Sequence, residues 1–379
     1  MSRSVLLASN YNVWREPFNS QSQSFLSVVA GLEHADLLVP EGAPYLLGHG
    51  VRPSVNYLIA EIKHRLLSQA RNRIGLSSLS NMKPTEVTGN HDLFFFCCQF
   101  PHELSALDRL AGWREKTGIA VAYILETWSS TLSRSASNLR MLDQFDHVFV
   151  LNEQCVPQLC KYTRAPISGL SPATDCLLAT PLPSPPRRAI DVYSFGRRSP
   201  EVHAELLEIS KEAADFFYVY DSVQGCQVRN WLEHRLLLAS QMKRAKFFIA
   251  FNPGDVGAGP PGPFQNEQAV STRYFEGVAG GAIVLGTHPD TAEFAKHFDW
   301  PGAVIPLSPK GGVRELIMEL LSQHDRLAEL SHRNVVESLR RHDWSYRWQK
   351  ILEVIGMDQA PGMAERHERL WGLSELPYS

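Results

Sequence analysis

The stretch STRYFEGVAGGAIVLGT, residues 271–287, combines hydroxyl, arginine and glutamate side chains at a spacing that can support chemistry. Its apolar residues recur at helical spacing before a glycine pair, which predicts a short helix packed on a sheet. The first N–H groups of that helix, at Ser271, Thr272 and Arg273, have no partner within the helix. Such N–H groups form an anion site, and a phosphate group fits it.

Glu276 lies one turn into the same predicted helix. It does not close a capping box, because neither Ser271 nor Thr272 has Glu or Gln three positions later. A carboxylate in this place can accept hydrogen bonds from the vicinal hydroxyls of a ribose. The alternative is a surface ion pair between Arg273 and Glu276, worth about a few tenths of a kcal/mol. The stretch alone leaves both interpretations open.

Further polar residues follow apolar runs in the first half of the chain. Asn10 and Asn12 follow VLLAS, His102 follows DLFFFCCQF, and Glu126 follows IAVAYIL. Ligands of parallel α/β sheets bind at the carboxyl ends of the strands, so all four are candidates for a second substrate site. We assign His102 and Glu126 catalytic roles and the two asparagines a binding role, although each residue alone also fits a structural role.

These candidates require an α/β framework to position them. Strand-like apolar runs alternate with helical patterns through both halves of the chain, which predicts two domains with parallel sheets. The proline-rich segment LATPLPSPPRRA, residues 178–189, interrupts the pattern as a linker does. We therefore predict domains at 1–182 and 183–356, with residues 357–379 packing back on the first domain.

Two further segments suggest ligand contacts. The loop FNPGDVGAGPPGPFQNE, residues 251–267, follows a strand and is too rich in Gly and Pro for regular structure, so it is expected to face substrate. The basic helix EIKHRLLSQARNRIG, residues 61–75, fits a membrane surface. The other interpretation of this helix is a core-packed element with a solvated basic face.

Composition excludes several classes of protein. The 379 residues carry a formal net charge of −3 with basic residues dispersed along the chain, which argues against nucleic acid as a partner. No apolar run approaches the ~20 residues of a membrane span, and the N-terminus has no signal-peptide core, so we expect a cytoplasmic protein. The six cysteines fit neither a zinc site nor a disulfide scaffold, and we expect reduced, mostly buried thiols.

The residues quoted above also carry a family resemblance. A strand ending YSFGRRSPE, the stretch STRYFEGVAGGAIVLGT followed by HPDTAEF, and the tail HRNVVESLRRHDWSYRWQKIL resemble the C-terminal donor domain of a GT-B glycosyltransferase. DHVFVLNEQCVPQL and ISGLSPATD resemble the end of its first domain. The chain is most similar to the group-1, family 4-like kind, with the spore-maturation-protein-like subgroup nearest.

The resemblance implies roles for particular residues. Gly196 and Arg197 match the family's Gly-Arg, in which the arginine neutralises the donor diphosphate. Val202 occupies the position of the family's lysine, so Arg198 or Lys243 is expected to substitute for it. Glu276 matches the second glutamate of the family's Glu-x7-Glu pair, the ribose ligand, and Gln268 occupies the position of the first.

The resemblance implies two Rossmann-like domains facing across a cleft, and transfer of a sugar with retention from a nucleotide-diphosphate-sugar co-substrate to an unknown acceptor. The departing diphosphate would be met by Arg197, Arg273 and the N–H groups of Ser271 and Thr272. No Asp-x-Asp motif lies in a suitable loop, so we expect neither metal nor other cofactor.

Sugar transfer has two alternatives. A non-catalytic or degenerate nucleotide-sugar-binding subunit is favoured by Val202 and Gln268, which stand where charged ligands are expected. A nicotinamide-dependent dehydrogenase is disfavoured, because the first strand runs into SNYNVW without a Gly-x-Gly-x-x-Gly loop.

Overall fold

The computed structural model describes residues 3–41, 84–222, 227–252, 254–256 and 267–377. These residues form two compact units: the first comprises the described parts of Met1–Arg15 and Ala35–Leu170, and the second those of Glu16–His34 and Ser171–Ser379. The predicted basic helix at 61–75 lies outside the described residues, as does most of the predicted loop at 251–267.

The strands are, in chain order, β1 (Val5–Ser9), β2 (Asp36–Leu38), β3 (Thr85–Glu86), β4 (His91–Cys98), β5 (Leu110–Ala111), β6 (Thr117–Ile124), β7 (His147–Val150), β8 (Ile167–Gly169), β9 (Ile190–Ser194), β10 (Tyr218–Tyr220), β11 (Ala245–Ala250), β12 (Ile283–Gly286) and β13 (Val304–Pro306). The α-helices are α1 (Tyr11–Trp14), α2 (Ser20–Glu33), α3 (Ala136–Leu139), α4 (Val156–Leu159), α5 (Cys176–Ala179), α6 (Pro200–Glu212), α7 (Trp231–Arg244), α8 (Thr272–Ala279), α9 (Ala292–His297), α10 (Val313–Leu321), α11 (His324–Arg341), α12 (Trp344–Val354) and α13 (Met363–Ser374).

The first unit is built on a parallel sheet with strand order β2-β1-β4-β6-β7-β8. The central strands β4 and β6 are buried along most of their length, which explains why they appear in the sequence as continuous apolar runs. The segment PHELSALDRLAGWREKTG after β4 has helical spacing, which predicts a helix; the structure has a 3-10 helix, Pro101–Arg109, that leads directly into β5. The predicted strands of this half are confirmed at β1, β4, β6 and β7.

The second unit has a parallel sheet with strand order β10-β9-β11-β12-β13. Two apolar clusters cover its two faces, and α8 contributes Phe275 and Val278 to one of them. The strands and helices predicted from residue 189 onward are confirmed, and the C-terminal helical region divides into α10, α11 and α12. None of the helices within the described ranges has the length and apolarity that a membrane crossing requires.

The observed units divide at Leu170, whereas the linker was predicted at 178–189. Residues after Leu170 are bonded to the C-terminal helices, because Thr174 pairs with Asp343 ahead of α12. Helix α2, from the N-terminal region, also belongs to the second unit, where Phe25 packs on Trp344. Within that unit α13 packs against α11 and α12, and its predicted packing on the first domain stays a prediction.

The cysteines agree with the expectation of reduced thiols as far as the structure describes them. Cys97, Cys98, Cys155 and Cys176 are buried and free, and Cys160 is exposed and free. Burial raises the pKa of the Cys98 and Cys176 thiols well above the ordinary value. These two thiols therefore stay protonated near neutral pH. Cys226 lies outside the described residues.

Candidate functional site

The carboxyl end of β9 turns sharply at Gly196, which has a positive φ of 70°. The Gly196 N–H donates to the Asp221 carboxylate, 3.1 Å from either oxygen. Arg198 Nη1 lies 2.6 Å from Asp221 Oδ1, so the two side chains form an ion pair. An anion at this turn would compete with Asp221 for Arg198, whereas the neighbouring Arg197 is exposed to solvent.

Arg273 is buried at the start of α8 and holds the ends of two strands together. Its Nη1 donates to the carbonyl oxygens of Phe195 and Arg197 at 3.3 and 3.0 Å, and its Nη2 donates to the Phe251 oxygen at 2.7 Å. Burial and then the neighbouring Arg197 lower the pKa of Arg273 to about 10. The predicted surface pair with Glu276 does not form, because the Arg273 guanidinium bonds these carbonyl oxygens instead.

The first turn of α8 is capped by its own sequence. Ser271 Oγ accepts a hydrogen bond from the Arg273 N–H at 3.4 Å, and the Ser271 carbonyl accepts from Tyr274 at 3.1 Å. The cap uses one of the three N–H groups predicted to bind an anion. The N–H groups of Ser271 and Thr272 are therefore the remaining candidates at this helix end.

Glu276 pairs with a residue that the sequence did not identify. Its Oε1 lies 2.6 Å from Nη1 of Arg235 in α7, and the two side chains are only 10% and 8% exposed. Nη2 of Arg235 donates to Thr174 Oγ1 at 3.4 Å. Within the described residues no hydrogen bond is made to Glu276 Oε2. Only the tertiary arrangement could have revealed this partner, because α7 offers several cations at helical spacing.

Of the two remaining predicted donor-site residues, Lys243 lies apart from this group. Lys243 is near the end of α7, two residues before the first residue of β11, so it lies at the amino edge of the sheet. A helix that connects two parallel strands returns to the amino edge, and Lys243 is therefore not brought to the carboxyl edge with Arg197. Gln268 Oε1 accepts a hydrogen bond from the Asp290 N–H at 2.7 Å, after β12.

The burial of Val202 explains in part why this position does not carry the lysine of the family pattern. This side chain is 2% exposed and belongs to the apolar cluster on one face of the second sheet. Its N–H is held by Ser199 Oγ at 3.1 Å in the cap of α6. An apolar residue at position 202 is thus a core residue in this protein.

In the first unit, the carboxyl ends of β4 and β6 bring polar groups together. Gln99 Nε2 donates to Glu126 Oε1 at 2.9 Å, and the Gln99 N–H donates to Glu103 Oε2 at 2.8 Å. The Phe100 N–H also donates to Glu103 Oε2, at 3.3 Å. Burial raises the pKa of Glu103 to about 7, against the opposing effect of these hydrogen bonds and of the Asn10 amide. The sequence placed Asn10 and Glu126 here but missed Glu103.

The other two candidates of the first unit occupy less central positions. His102 is exposed and stacks on Phe100, with ring centroids 5.5 Å apart. Asn12 lies in α1 and its amide donates to the Val39 carbonyl at 3.5 Å. Asn10, Glu126 and the buried Glu103 are thus grouped at the sheet edge, and Asn12 is tied to the segment after β2.

One family model and several solved structures are similar to this chain. Residues 203–353 match a family model described as glycosyl transferase-like. A search of curated protein sequences found no match. HepE of Anabaena, solved with UDP and glucose, is 12% identical and superposes with a TM-score of 0.52, covering 93% of this chain and 99% of its own.

Two further solved structures share the fold over nearly their whole length. Sucrose-phosphate synthase from Thermosynechococcus elongatus is 9% identical with a TM-score of 0.53, covering 93% of this chain and 98% of its own. An α-glucosyltransferase bound to UDP-glucose and DNA with an abasic site is 11% identical with a TM-score of 0.55, covering 94% of this chain and all 100% of its own. These superpositions show that the chain has the GT-B fold, and its residues 203–353 are similar to a glycosyl transferase-like family.

Proposed function

We propose that this protein of GT-B fold is a glycosyltransferase, which binds a nucleotide-diphosphate-sugar donor at the carboxyl edge of its second sheet and transfers the sugar to an acceptor held by its first unit. The observation that carries the proposal is the buried Glu276 carboxylate, which keeps Oε2 unbonded among the described residues. A carboxylate oxygen has two lone pairs, so Glu276 retains the capacity to accept both vicinal hydroxyls of a ribose.

The donor-binding proposal is also supported by the N-terminus of α8, which carries partial positive charge and lies beside the turn after β9. Cleavage of the anomeric C–O bond leaves negative charge on the departing diphosphate. The N–H groups of Ser271 and Thr272 and the guanidinium of Arg197 are the groups proposed to stabilise that charge. Arg273 acts indirectly in this scheme, because it bonds the carbonyl oxygens of Phe195 and Arg197 and so fixes the turn that carries Arg197.

The first unit is proposed to bind the acceptor. Glu126 is the catalytic candidate that best fits this role, because Gln99 orients its carboxylate through the hydrogen bond between Nε2 and Oε1. Asn10 follows β1, the strand that pairs with β4, and Asn12 and His102 are further candidates. The acceptor itself is a hydroxyl-bearing molecule whose wider chemistry the proposal leaves open.

Three finer features belong to the same proposal. Transfer proceeds with retention at the anomeric carbon, as the group-1 resemblance implies, and the spore-maturation-protein-like subgroup is the nearest one. Arginine and helix N–H groups replace a divalent cation, so no metal or other cofactor is needed. The protein acts in the cytoplasm, and peripheral contact with a membrane fits a lipid-linked acceptor.

A second function is favoured by one specific observation. Arg198 is paired with Asp221 at 2.6 Å and position 202 is apolar, so fewer free cations surround the proposed diphosphate than the family pattern implies. Under this alternative the protein is a non-catalytic nucleotide-sugar-binding subunit of a glycosylation complex.

Incubation of the full-length protein with a panel of nucleotide sugars tests both functions. HepE was solved with UDP-glucose, so uridine donors come first in the panel. Release of free nucleoside diphosphate in the presence of candidate acceptors, lost in Glu126→Gln, supports the transferase and its catalytic residue. Tight binding without turnover supports the subunit, and failure to bind any nucleotide sugar contradicts both.

A further inference from the structure

The ion pair between Arg235 and Glu276 uses only one of the two carboxylate oxygens. An arginine fork that faces a carboxylate commonly donates to both oxygens in parallel. Here Nη1 donates to Glu276 Oε1 at 2.6 Å, while Nη2 is directed to Thr174 Oγ1 at 3.4 Å. Among the described residues, the geometry therefore leaves Oε2 without a hydrogen bond.

Thr174 accepts a hydrogen bond from the second guanidinium nitrogen of Arg235, so the two Nη atoms bond different residues. Its N–H donates to the His342 carbonyl at 3.0 Å, and its own carbonyl accepts from the Trp344 N–H at 3.0 Å. The backbone of Thr174 is thus fixed against the start of α12. The Thr174 hydroxyl on this backbone is thus the partner that the second Nη of Arg235 takes in place of Glu276 Oε2.

Stability alone does not account for this arrangement. The Nε–H of Arg235 is buried and has no hydrogen-bond partner among the described residues. A buried donor left unbonded is costly, and a buried ion pair is often no more stable than apolar side chains of the same volume. Buried polar groups that lack a hydrogen-bond partner, and so reduce stability, are expected at functional sites.

We propose that Arg235 is a positioning residue for ribose recognition: it fixes the Glu276 carboxylate through Oε1 so that Oε2 is presented to the vicinal hydroxyls of the donor. This inference rests on the proposed donor site and adds a specificity determinant to it. Arg235 neutralises Glu276 without occupying the oxygen that the ligand needs. The ligand class is a ribonucleoside diphosphate, distinguished from its 2′-deoxy counterpart.

Calorimetry with the full-length protein tests the inference with UDP, GDP and ADP, each beside its 2′-deoxy form. The wild-type protein should bind the ribose form of its preferred nucleotide roughly tenfold or more tightly, the usual worth of a hydrogen bond to a charged group. Arg235→Lys keeps a cation beside Glu276 but has no fork, so its single Nζ can bond either oxygen. This variant should lose most of the preference while its affinity for the 2′-deoxy form changes little.

Arg244→Lys, the same substitution at an exposed position of α7, is the matched control and should retain the preference. Equal weakening of both sugar forms in Arg235→Lys would indicate a merely structural role and overturn the inference. An unchanged preference in that variant would overturn it as well. If the wild-type protein binds a nucleotide without preference for ribose, the inference fails while donor binding stands, and if it binds none, the proposed donor site fails with it.

Discussion

Arg366 holds both carboxylate oxygens of Asp343, with Nε 2.7 Å from Oδ1 and Nη2 2.7 Å from Oδ2. Nη2 also lies 2.6 Å from Asp175 Oδ1. Asp343 is fully buried and accepts further hydrogen bonds from Ser345 and from the Cys176 N–H. One arginine of α13 therefore joins the start of α5 to the start of α12.

Replacement of Arg366 by methionine should destabilise the protein strongly. The buried Asp343 would lose its counter-charge, and the loss of one partner of a buried pair costs about 3–5 kcal/mol. Urea unfolding of Arg366→Met measures this loss, and Arg369→Met, at an exposed position of the same helix, is the control. Equal stability of the two variants would show that the network does not hold the C-terminal helix.

Acid should destabilise the second unit through two histidines, the buried His342 and the half-buried His297. His342 Nε2 lies 2.9 Å from the His297 carbonyl, and His297 Nε2 lies 2.7 Å from Ser171 Oγ. Burial lowers the pKa of His297 to about 2, with Arg347, Lys296 and Arg341 adding to the effect, and burial likewise lowers the pKa of His342. Both rings are therefore neutral in the folded protein at neutral pH.

Unfolded histidine has a pKa of about 6.5, so these two residues take up protons on unfolding below that pH. The contribution of the two neutral rings to the free energy of unfolding is fully present above about pH 6.5. It is lost as the pH falls, by about 1.4 kcal/mol per pH unit for each ring. His342→Gln should reduce the slope of the unfolding free energy between pH 6.5 and 5, measured by urea unfolding at each pH. The exposed His324→Gln is the control, and equal slopes in the two variants would contradict the assignment.

A rise in pH from acid to neutral should destabilise the first unit through Glu103. Burial raises the pKa of this carboxyl from 4.5 to about 7. The folded state holds the proton more tightly than the unfolded state, so the stabilisation is complete below about pH 4.5 and is lost as the pH rises to about 7. The loss amounts to roughly 3 kcal/mol by linkage.

Glu103→Gln should therefore be more stable than the wild type at pH 8. Glutamine retains an oxygen that accepts from the Gln99 N–H, and it carries no charge to bury. Thermal unfolding at pH 5 and pH 8 checks this expectation, with the exposed Glu115→Gln as the control. A lower melting temperature of Glu103→Gln at both pH values would show that the carboxyl is needed in its charged form.

The sequence predicted the strands and helices better than the side-chain pairs that connect them. Apolar runs such as FFFCC and AVAYI identify β4 and β6, because strands buried on both faces leave no polar alternation. The segment PHELSALDR has helical spacing but forms a 3-10 helix, and at its start Glu103 accepts hydrogen bonds from two backbone N–H groups. That capping depends on burial, which spacing does not encode.

Long-range pairs account for most of what the sequence did not show. Glu276 was identified from its place in the helix, but its partner Arg235 lies 41 residues earlier. Arg273 was expected to bind an anion and instead bonds three carbonyl oxygens, because the ends of β9 and β11 converge on it. Such convergence follows from strand order, β9 beside β11, which the local pattern does not determine.

The decisive prediction concerns Glu276, whose loss should have two separable effects. Glu276→Gln removes charge-assisted acceptance, so nucleotide affinity should fall by about 1.5–3 kcal/mol, roughly tenfold or more. It also leaves Arg235 buried without a counter-charge, so stability should fall by about 3–5 kcal/mol. The double variant Arg235→Gln with Glu276→Gln removes both charges and should recover most of the stability while affinity stays low. Chemical unfolding and calorimetry of the two variants measure these quantities, and recovery of affinity together with stability would show that Glu276 serves only the fold.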